Sequence, residues 1–393
     1  MAEPTLAVAR MLLPWHLHHL GNDSRGQPAS PSVVRHMPKY VSMDILFTDP
    51  HVLEVLESTG VLVRVVRKGA GGGAAASCGG DDIILRDAVP PSSHPSRLLI
   101  LHPGNPGVVH LYRRFCLHLA QAMPDLAVLV VGYPGHSLEC HEDRARVYGL
   151  QEQVELAEEF VGRLLVHRRR AAARLGPVGT SVPEGALYRR GVYSAGHSCG
   201  AFLSLHVLAR FKADIRLSFQ MAPTIFHIAK SPNGKDVVKR LLFSPLGTWS
   251  AATLISRPFA ALVPRSAQRA IVKAVQSGLD DDSADVVVRM LHPSVVRNVL
   301  SLARAEFQQI ATLDEPLALE LHNQLVFYFA PGDGWVPPAD IEHLRTTLPR
   351  PAGFVIEEPG RTSHAWCLDG PQWAAAMVDR FIREDYTTEA RSP

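Results

Sequence analysis

The chain has 393 residues, 46% of them hydrophobic and 20% charged, which excludes disorder of the whole and predicts a folded protein with a large core. Lys+Arg 40 against Asp+Glu 38 leaves a net charge of +2, so no global basic field is available and nucleic-acid binding is set aside. The five cysteines are scattered with no Cys-x-x-Cys pair, which favours a reducing compartment and argues against a disulfide framework or a structural zinc site.

The N-terminus carries Glu3 and Arg10 and lacks a long apolar run before Pro14, so it makes a poor signal peptide, and a cytosol-facing protein is expected. Residues 1–40 mix Pro, Gly, Ser and His without periodicity and read as a mobile tail; the cluster His16-Leu17-His18-His19 reads as solvated histidines rather than metal ligands. Val61 to Arg67 and Asp82 to Arg86 read as paired strands joined by the Gly/Ala-rich stretch Gly69 to Gly80. Arg97 to Leu101 has the continuous apolar character of a buried parallel strand, and His102-Pro103-Gly104-Asn105-Pro106-Gly107 follows as a loop. Val109 to Met123 predicts a helix, Leu126 to Val131 a second buried strand, and Gly132 to Ser137 the loop beyond it. His136, Cys140, His141 and Asp143 lie near one another, but their spacing fits no common metal site, and no metal or cofactor is expected. Tyr148 to Arg169 predicts a long helix, and Ala171 to Arg190 an irregular insertion.

Gly196-His197-Ser198-Cys199-Gly200 carries the Gly-x-Ser-x-Gly pattern between a short strand, Val192 to Ala195, and an apolar helix, Ala201 to Ala209. That context is a nucleophile elbow: a serine in a tight strand-to-helix turn, flanked by glycines because side chains there would collide. An acyl-transfer enzyme takes one oxyanion-hole N–H from the residue after the nucleophile, here Cys199, and a second from the loop after an early strand, here Asn105. Ile215 to Met221 predicts another strand. From there to about His322 no strand pattern recurs, and this Pro-rich, helically patterned stretch predicts a cap over the site. Within it, Leu241 to Pro264 is largely apolar, with Phe243, Trp249, Leu254, Phe259 and Leu262 as its bulky residues. Pro245, Gly247, Arg257 and Pro258 interrupt it, so a kinked pair of helices is expected, either entering one leaflet or covering a pocket, rather than a transmembrane span. Arg265, Arg269 and Lys273 follow every fourth residue and would share one helix face, suited to phospholipid headgroups or simply to water.

Asn323 to Ala330 resumes the strands and Asp333 follows in its loop; Phe354 to Ile356 is the next strand and His364 follows it; Pro371 to Glu384 closes as an amphipathic helix. Ser198, Asp333 and His364 therefore occur in the chain order Ser, acid, His, each past a strand end, which is the α/β-hydrolase arrangement. The expected architecture is a mostly parallel sheet flanked by helices: a core over 41–222 and 321–386, a helical cap over 223–320 whose apolar, membrane-associating segment is 241–278, and a tail at 387–393.

The Pro-Gly-Asn-Pro-Gly core of His102 to Gly107, the elbow, Tyr148-Gly149-Leu150 with Gln153, Ser231-Pro232-Asn233-Gly234, Asp333-Gly334-Trp335 and His364-Ala365 together resemble the lipid droplet-associated hydrolase family, from about Leu98 to Ile382. The resemblance implies an α/β-hydrolase fold, a serine hydrolase acting on lipid esters with nucleophile Ser198, acid Asp333 and base His364, and association with lipid droplets and endoplasmic reticulum through the cap. The long N-terminal tail, the Gly/Ala joint, the insertion before the elbow and a less apolar cap segment depart from the family's pattern. Acyl transfer or thioester hydrolysis by the same three residues, and a droplet-coating protein with little turnover, are the alternatives that the sequence leaves open.

Overall fold

A computed structural model describes residues 44–47, 64–65, 96–138, 146–174, 190–275 and 279–389. Eight strands form one sheet: β1 (Asp44–Phe47), β2 (Arg64–Val65), β3 (Arg97–His102), β4 (Leu126–Val131), β5 (Gly191–His197), β6 (Ile215–Met221), β7 (Leu325–Phe329) and β8 (Gly353–Ile356), in the order β2-β1-β4-β3-β5-β6-β7-β8. The six strands from β4 to β8 run parallel, with Leu99 opposite Val128 on one side and Tyr193 on the other. β1 turns antiparallel along β4, Ile45 facing Val131, and β2 lies parallel to β1 at the edge.

Residues on alternate faces of a strand enter separate cores, which is why these runs are apolar without interruption. Leu99 and Leu101 of β3 pack with Phe115 and Leu119 of α1 (Arg113–Ala122), and Leu98 and Ile100 pack on the other face with Phe160 and Leu164 of α2 (Leu150–Arg174) and Leu205 of α3 (Cys199–Arg210). All four β3 side chains are at most 1% exposed. Burial of this kind stabilises by roughly 1.5–3 kcal/mol for each large aliphatic group.

No strand occurs between Met221 and Leu325 among the described residues. That stretch holds α4 (Val237–Phe243), α5 (Pro245–Ser250), a π-helical segment (Ala251–Ser256), α6 (Arg257–Leu262), α7 (Arg265–Val275), α8 (Asp281–Met290), α9 (Pro293–Gln309) and α10 (Glu315–Leu321). After β7 come α11 (Pro338–Thr347), α12 (Trp366–Asp369) and α13 (Pro371–Glu389), the last packing beside α1.

Three expectations need correction. Arg64–Val65 pairs with Asp44–Phe47, a strand too short to announce itself, while Asp82 to Arg86 lies outside the described residues. Val109–Tyr112 is a 3-10 turn, and the α-helix starts at Arg113. The apolar cap segment is broken into four helical pieces rather than a kinked pair. Ser244 caps α5, its Oγ accepting from the Gly247 N–H with Pro245 at the first turn, and Pro258 lacks the N–H that would carry regular pairing out of the π-helical segment into α6.

Candidate active site

Ser198 is the N-cap residue of α3, with φ 53 and ψ −122, a left-handed conformation that a non-glycine residue adopts at a cost on the order of 1–3 kcal/mol. Its surroundings hold it there. The Ser198 N–H donates to Met221 O at the end of β6, and its carbonyl accepts from Ala201 and Thr224. The glycines act as clearance: a Cβ on Gly196 would sit 2.2 Å from Gly200 O, and one on Gly200 would sit 2.1 Å from His102 O. A Cβ on Gly104 would approach that of Ser198 to 2.9 Å, so the loop after β3 lies directly against the serine.

β7 and β8 lie beside β6, and the loops past their ends bring Asp333 and His364 to the same point. His364 Nε2 lies 2.9 Å from Ser198 Oγ, and His364 Nδ1 lies 2.7 Å from Asp333 Oδ2. With Asp333 an acceptor, Nδ1 carries the imidazole proton and Nε2 is left to accept from the serine hydroxyl. Asp333 Oδ1 is fixed separately by the N–H groups of Trp335, at 2.7 Å, and Val336, at 3.3 Å. Ser198, Asp333 and His364 are 9%, 6% and 5% exposed, so these contacts form largely away from water. The Ser231-Pro232-Asn233-Gly234 motif braces the acid's loop: Asn233 N–H donates to Gly334 O at 2.9 Å, and Gly334 has no room for a Cβ against the Asn233 amide.

The loop after β3 is tied to the elbow by a chain of hydrogen bonds. Gly104 N–H donates to Tyr112 Oη at 2.8 Å, and Tyr112 Oη lies 2.6 Å from His197 Nδ1. His197 Nε2 lies 2.7 Å from His364 O, so it donates there, and Nδ1 accepts from the tyrosine. Burial, and then the neighbouring His364, hold His197 well below the usual histidine range, which keeps it in that neutral state. From the other side, Tyr133 donates to Pro103 O at 2.5 Å and His136 Nδ1 donates to Pro106 O at 2.6 Å. His136 thus supports the loop, while Cys140, His141 and Asp143, like His16 to His19, lie outside the described residues. Gly104 N–H is committed to Tyr112, which leaves the next residue, Asn105, to face the cavity that Gly104, Asn105, His197, Ser198 and His364 line together. Cys199, at the first turn of α3, is fully buried beside it.

The sequence reading missed Glu306. This α9 residue is 4% exposed, lines the same cavity as Ser198, and accepts from Asn105 Nδ2 at 2.8 Å. Asn105 Nδ2 also donates to Val299 O at 3.0 Å, so the cap grips the loop through one side-chain amide. A signal existed. Val295, Val299, Leu302 and Glu306 recur at helical spacing, which puts an acid on an otherwise apolar stripe.

The bulky residues of the apolar cap segment divide. Trp249, Leu254 and Leu262 are 54%, 60% and 80% exposed, as are the neighbouring Leu241 and Leu246 to similar degrees. Phe243 and Phe259 point inward and are corrected accordingly: Phe243 lines the cavity at Ser198 edge-on to Phe307, and Phe259 packs into the core from the first turn of α6. Of the three cations on α7, Arg269 pairs with Asp285 and Lys273 with Asp281 of α8, so that face meets protein acids before it meets anything else. Among the described residues no helix is long and apolar enough to cross a membrane.

Residues 95–367 match the protein family described as lipid-droplet associated hydrolase. The lipid droplet-associated hydrolase of Gallus gallus is 24% identical over 308 residues, covering 75% of this chain and 86% of that protein. That of Rattus norvegicus is 25% identical over 292 residues, covering 74% and 86%. Among solved structures, one of DBJA superposes with a TM-score of 0.50 at 15% identity, over 77% of this chain and 94% of its own, a likeness of fold alone. The sheet order and its flanking helices are those of an α/β-hydrolase. With that fold, and with a match across most of its length, the chain belongs to the lipid-droplet associated hydrolase family.

Proposed function

We propose that the protein is a serine hydrolase that cleaves carboxylic esters of lipids, with Ser198 as nucleophile, His364 as general base and acid, and Asp333 as the group that orients and stabilises the imidazole. The observation that carries this reading is the continuous hydrogen-bond chain from Ser198 Oγ through His364 to Asp333, formed by buried groups at the end of the sheet. A serine hydroxyl is a weak nucleophile at neutral pH, so its proton passes to His364 Nε2 as Oγ bonds the ester carbonyl carbon. The carbonyl oxygen becomes an oxyanion and accepts from the backbone N–H groups of Asn105 and Cys199. His364 returns the proton to the departing alcohol, leaving an acyl-enzyme. Water then gives a proton to His364 and its oxygen to the acyl carbon, and the acid leaves as Ser198 regains its hydrogen.

The cavity at Ser198 is about 80 Å³. Sites for small molecules usually run to roughly 300–1,000 Å³, so a lipid ester enters only when the cap shifts. The relatives' name supplies the setting in which that happens, a lipid droplet, and the outward-facing Trp249, Leu254 and Leu262 supply a means. These side chains enter the phospholipid monolayer of a droplet, or the cytosolic leaflet of the endoplasmic reticulum, without spanning it. The test is release of fatty acid from an emulsified lipid ester by the wild type and by Ser198→Ala. Release by the wild type alone is expected; equal release by both contradicts the assignment.

A further inference from the structure

Glu306 is a carboxyl group in a place that offers a carboxylate little. It sits on the cap helix α9, buried, with Val299 two turns before it on the same helix and the Asn105 loop against it. Three core elements press on it. The loop after β3 contributes Asn105, whose amide donates to Glu306 Oε1; the elbow contributes the Cys199 thiol, also hydrogen-bonded to the carboxyl; the loop after β4 contributes the Tyr133 hydroxyl, whose ionisation the acid opposes. His197 and His364 face the same cavity from the far side. Among the described residues no lysine or arginine pairs with Glu306, and burial pushes its carboxyl up to about 7, against the opposing pull of the Asn105 and Cys199 hydrogen bonds.

We propose that Glu306 is a positioning residue: it anchors the Asn105 loop to the cap through the Asn105 side chain, and it must be uncharged for the oxyanion at Ser198 to form readily. This rests on the serine-hydrolase reading above. The neutral acid still accepts from the Asn105 amide through its carbonyl oxygen, so the loop is held in either state. The ionised acid adds a negative charge in a low-dielectric cavity beside the place where another negative charge develops, and that opposes the transition state more than the resting enzyme. Cap and oxyanion loop are therefore one assembly. A cap displacement that breaks the Glu306–Asn105 contact also loosens the backbone N–H on which catalysis depends.

The experiment measures the rate of Ser198 labelling by a fluorophosphonate between about pH 6 and 8.5 in the wild type and Glu306→Gln, both checked for folding by thermal melting. Both proteins keep Ser198, His364 and Asp333, so their ratio reports the change at position 306. The ratio of variant to wild type is expected to rise by roughly ten-fold or more across a midpoint near 7. A ratio that stays constant overturns the charge requirement. The anchoring role is read from Glu306→Ala, Asn105→Ala and the double variant at low pH: each single change is expected to slow labelling, and the double to slow it no further. Additive losses overturn action through Asn105, and Glu306→Gln matching Glu306→Ala overturns anchoring by the side-chain oxygen. A wild type that takes no label at Ser198 at any pH defeats the serine-hydrolase reading itself, whereas labelling with superimposed pH profiles defeats only the role of Glu306.

Discussion

On the core side of the cavity, backbone fixes the serine: Ser198 is pinned to Met221 and Thr224 by main-chain hydrogen bonds, and the glycines at 104, 196 and 200 have carbonyl oxygens or a Cβ where a side chain would go. On the cap side, side chains do the fixing. Phe243 rests on Phe307, Glu306 holds Asn105, and the outer faces of α5, the π-helical segment and α6 leave Leu246, Leu254 and Leu262 in the open. The first wall is continuous with the sheet; the second rests on a few side-chain contacts. If the substrate is the lipid ester proposed above, a cavity of about 80 Å³ benefits from having one wall of each kind.

Substitutions on the core side of the cavity should have the greatest consequence. His364→Ala and Asp333→Asn should each lower turnover by about 10⁴-fold while leaving the melting temperature nearly unchanged, because each removes a proton-transfer or orienting group without opening a large core void. Paired kinetic and melting measurements check this. Asp333→Asn with wild-type turnover would shift the acid's role to another residue.

Next in size is a contrast inside the cap. Phe259→Ala should cost about 3–5 kcal/mol of stability in denaturant titration, since its ring is packed into the core. Leu254→Asp together with Leu262→Asp should stay within about 1 kcal/mol, at roughly 0.5 kcal/mol for each exposed site, yet abolish flotation with lipid droplets. If the double variant still floats with the droplets, the outward-facing leucines are only the outside of a lid.

Smaller again is the pH dependence of stability contributed by Glu306. Its folded-state value, about 7, lies above the ordinary 4.5, so the native protein binds the extra proton between those values. Stability from this group is fully present below about 4.5, is lost as pH rises to about 7, and costs no more beyond it. Glu306→Gln removes the titration, so the variant should gain up to roughly 3 kcal/mol on the wild type between pH 5 and 8. Unfolding of both proteins at the two pH values checks the sign; an advantage of the variant that grows on acidification would contradict it.

The core was legible because its constraints are local. Gly-x-Ser-x-Gly between a strand and a helix needs no distant partner to be read, and Asp333 and His364, each just past a strand, meet at that serine in the structure. The cap was not, for two physical reasons. Pro245, Pro258 and the π-helical segment reset the helical phase within a few residues, so periodicity cannot tell inward Phe243 and Phe259 from outward Leu254 and Leu262. The Glu306–Asn105 contact joins residues 201 positions apart, and neither residue type demands the other. Likewise the spacing of Arg265, Arg269 and Lys273 correctly forecast a helix, but Asp281 and Asp285, which take two of those charges, belong to the next one.

If Ser198 is a base-activated nucleophile, a fluorophosphonate modifies it covalently, and peptide mapping locates the adduct. A single modified peptide carrying the adduct on Ser198 is expected, lost in Ser198→Ala and strongly slowed in His364→Ala. An adduct on another residue, or labelling that persists in Ser198→Ala, would contradict it.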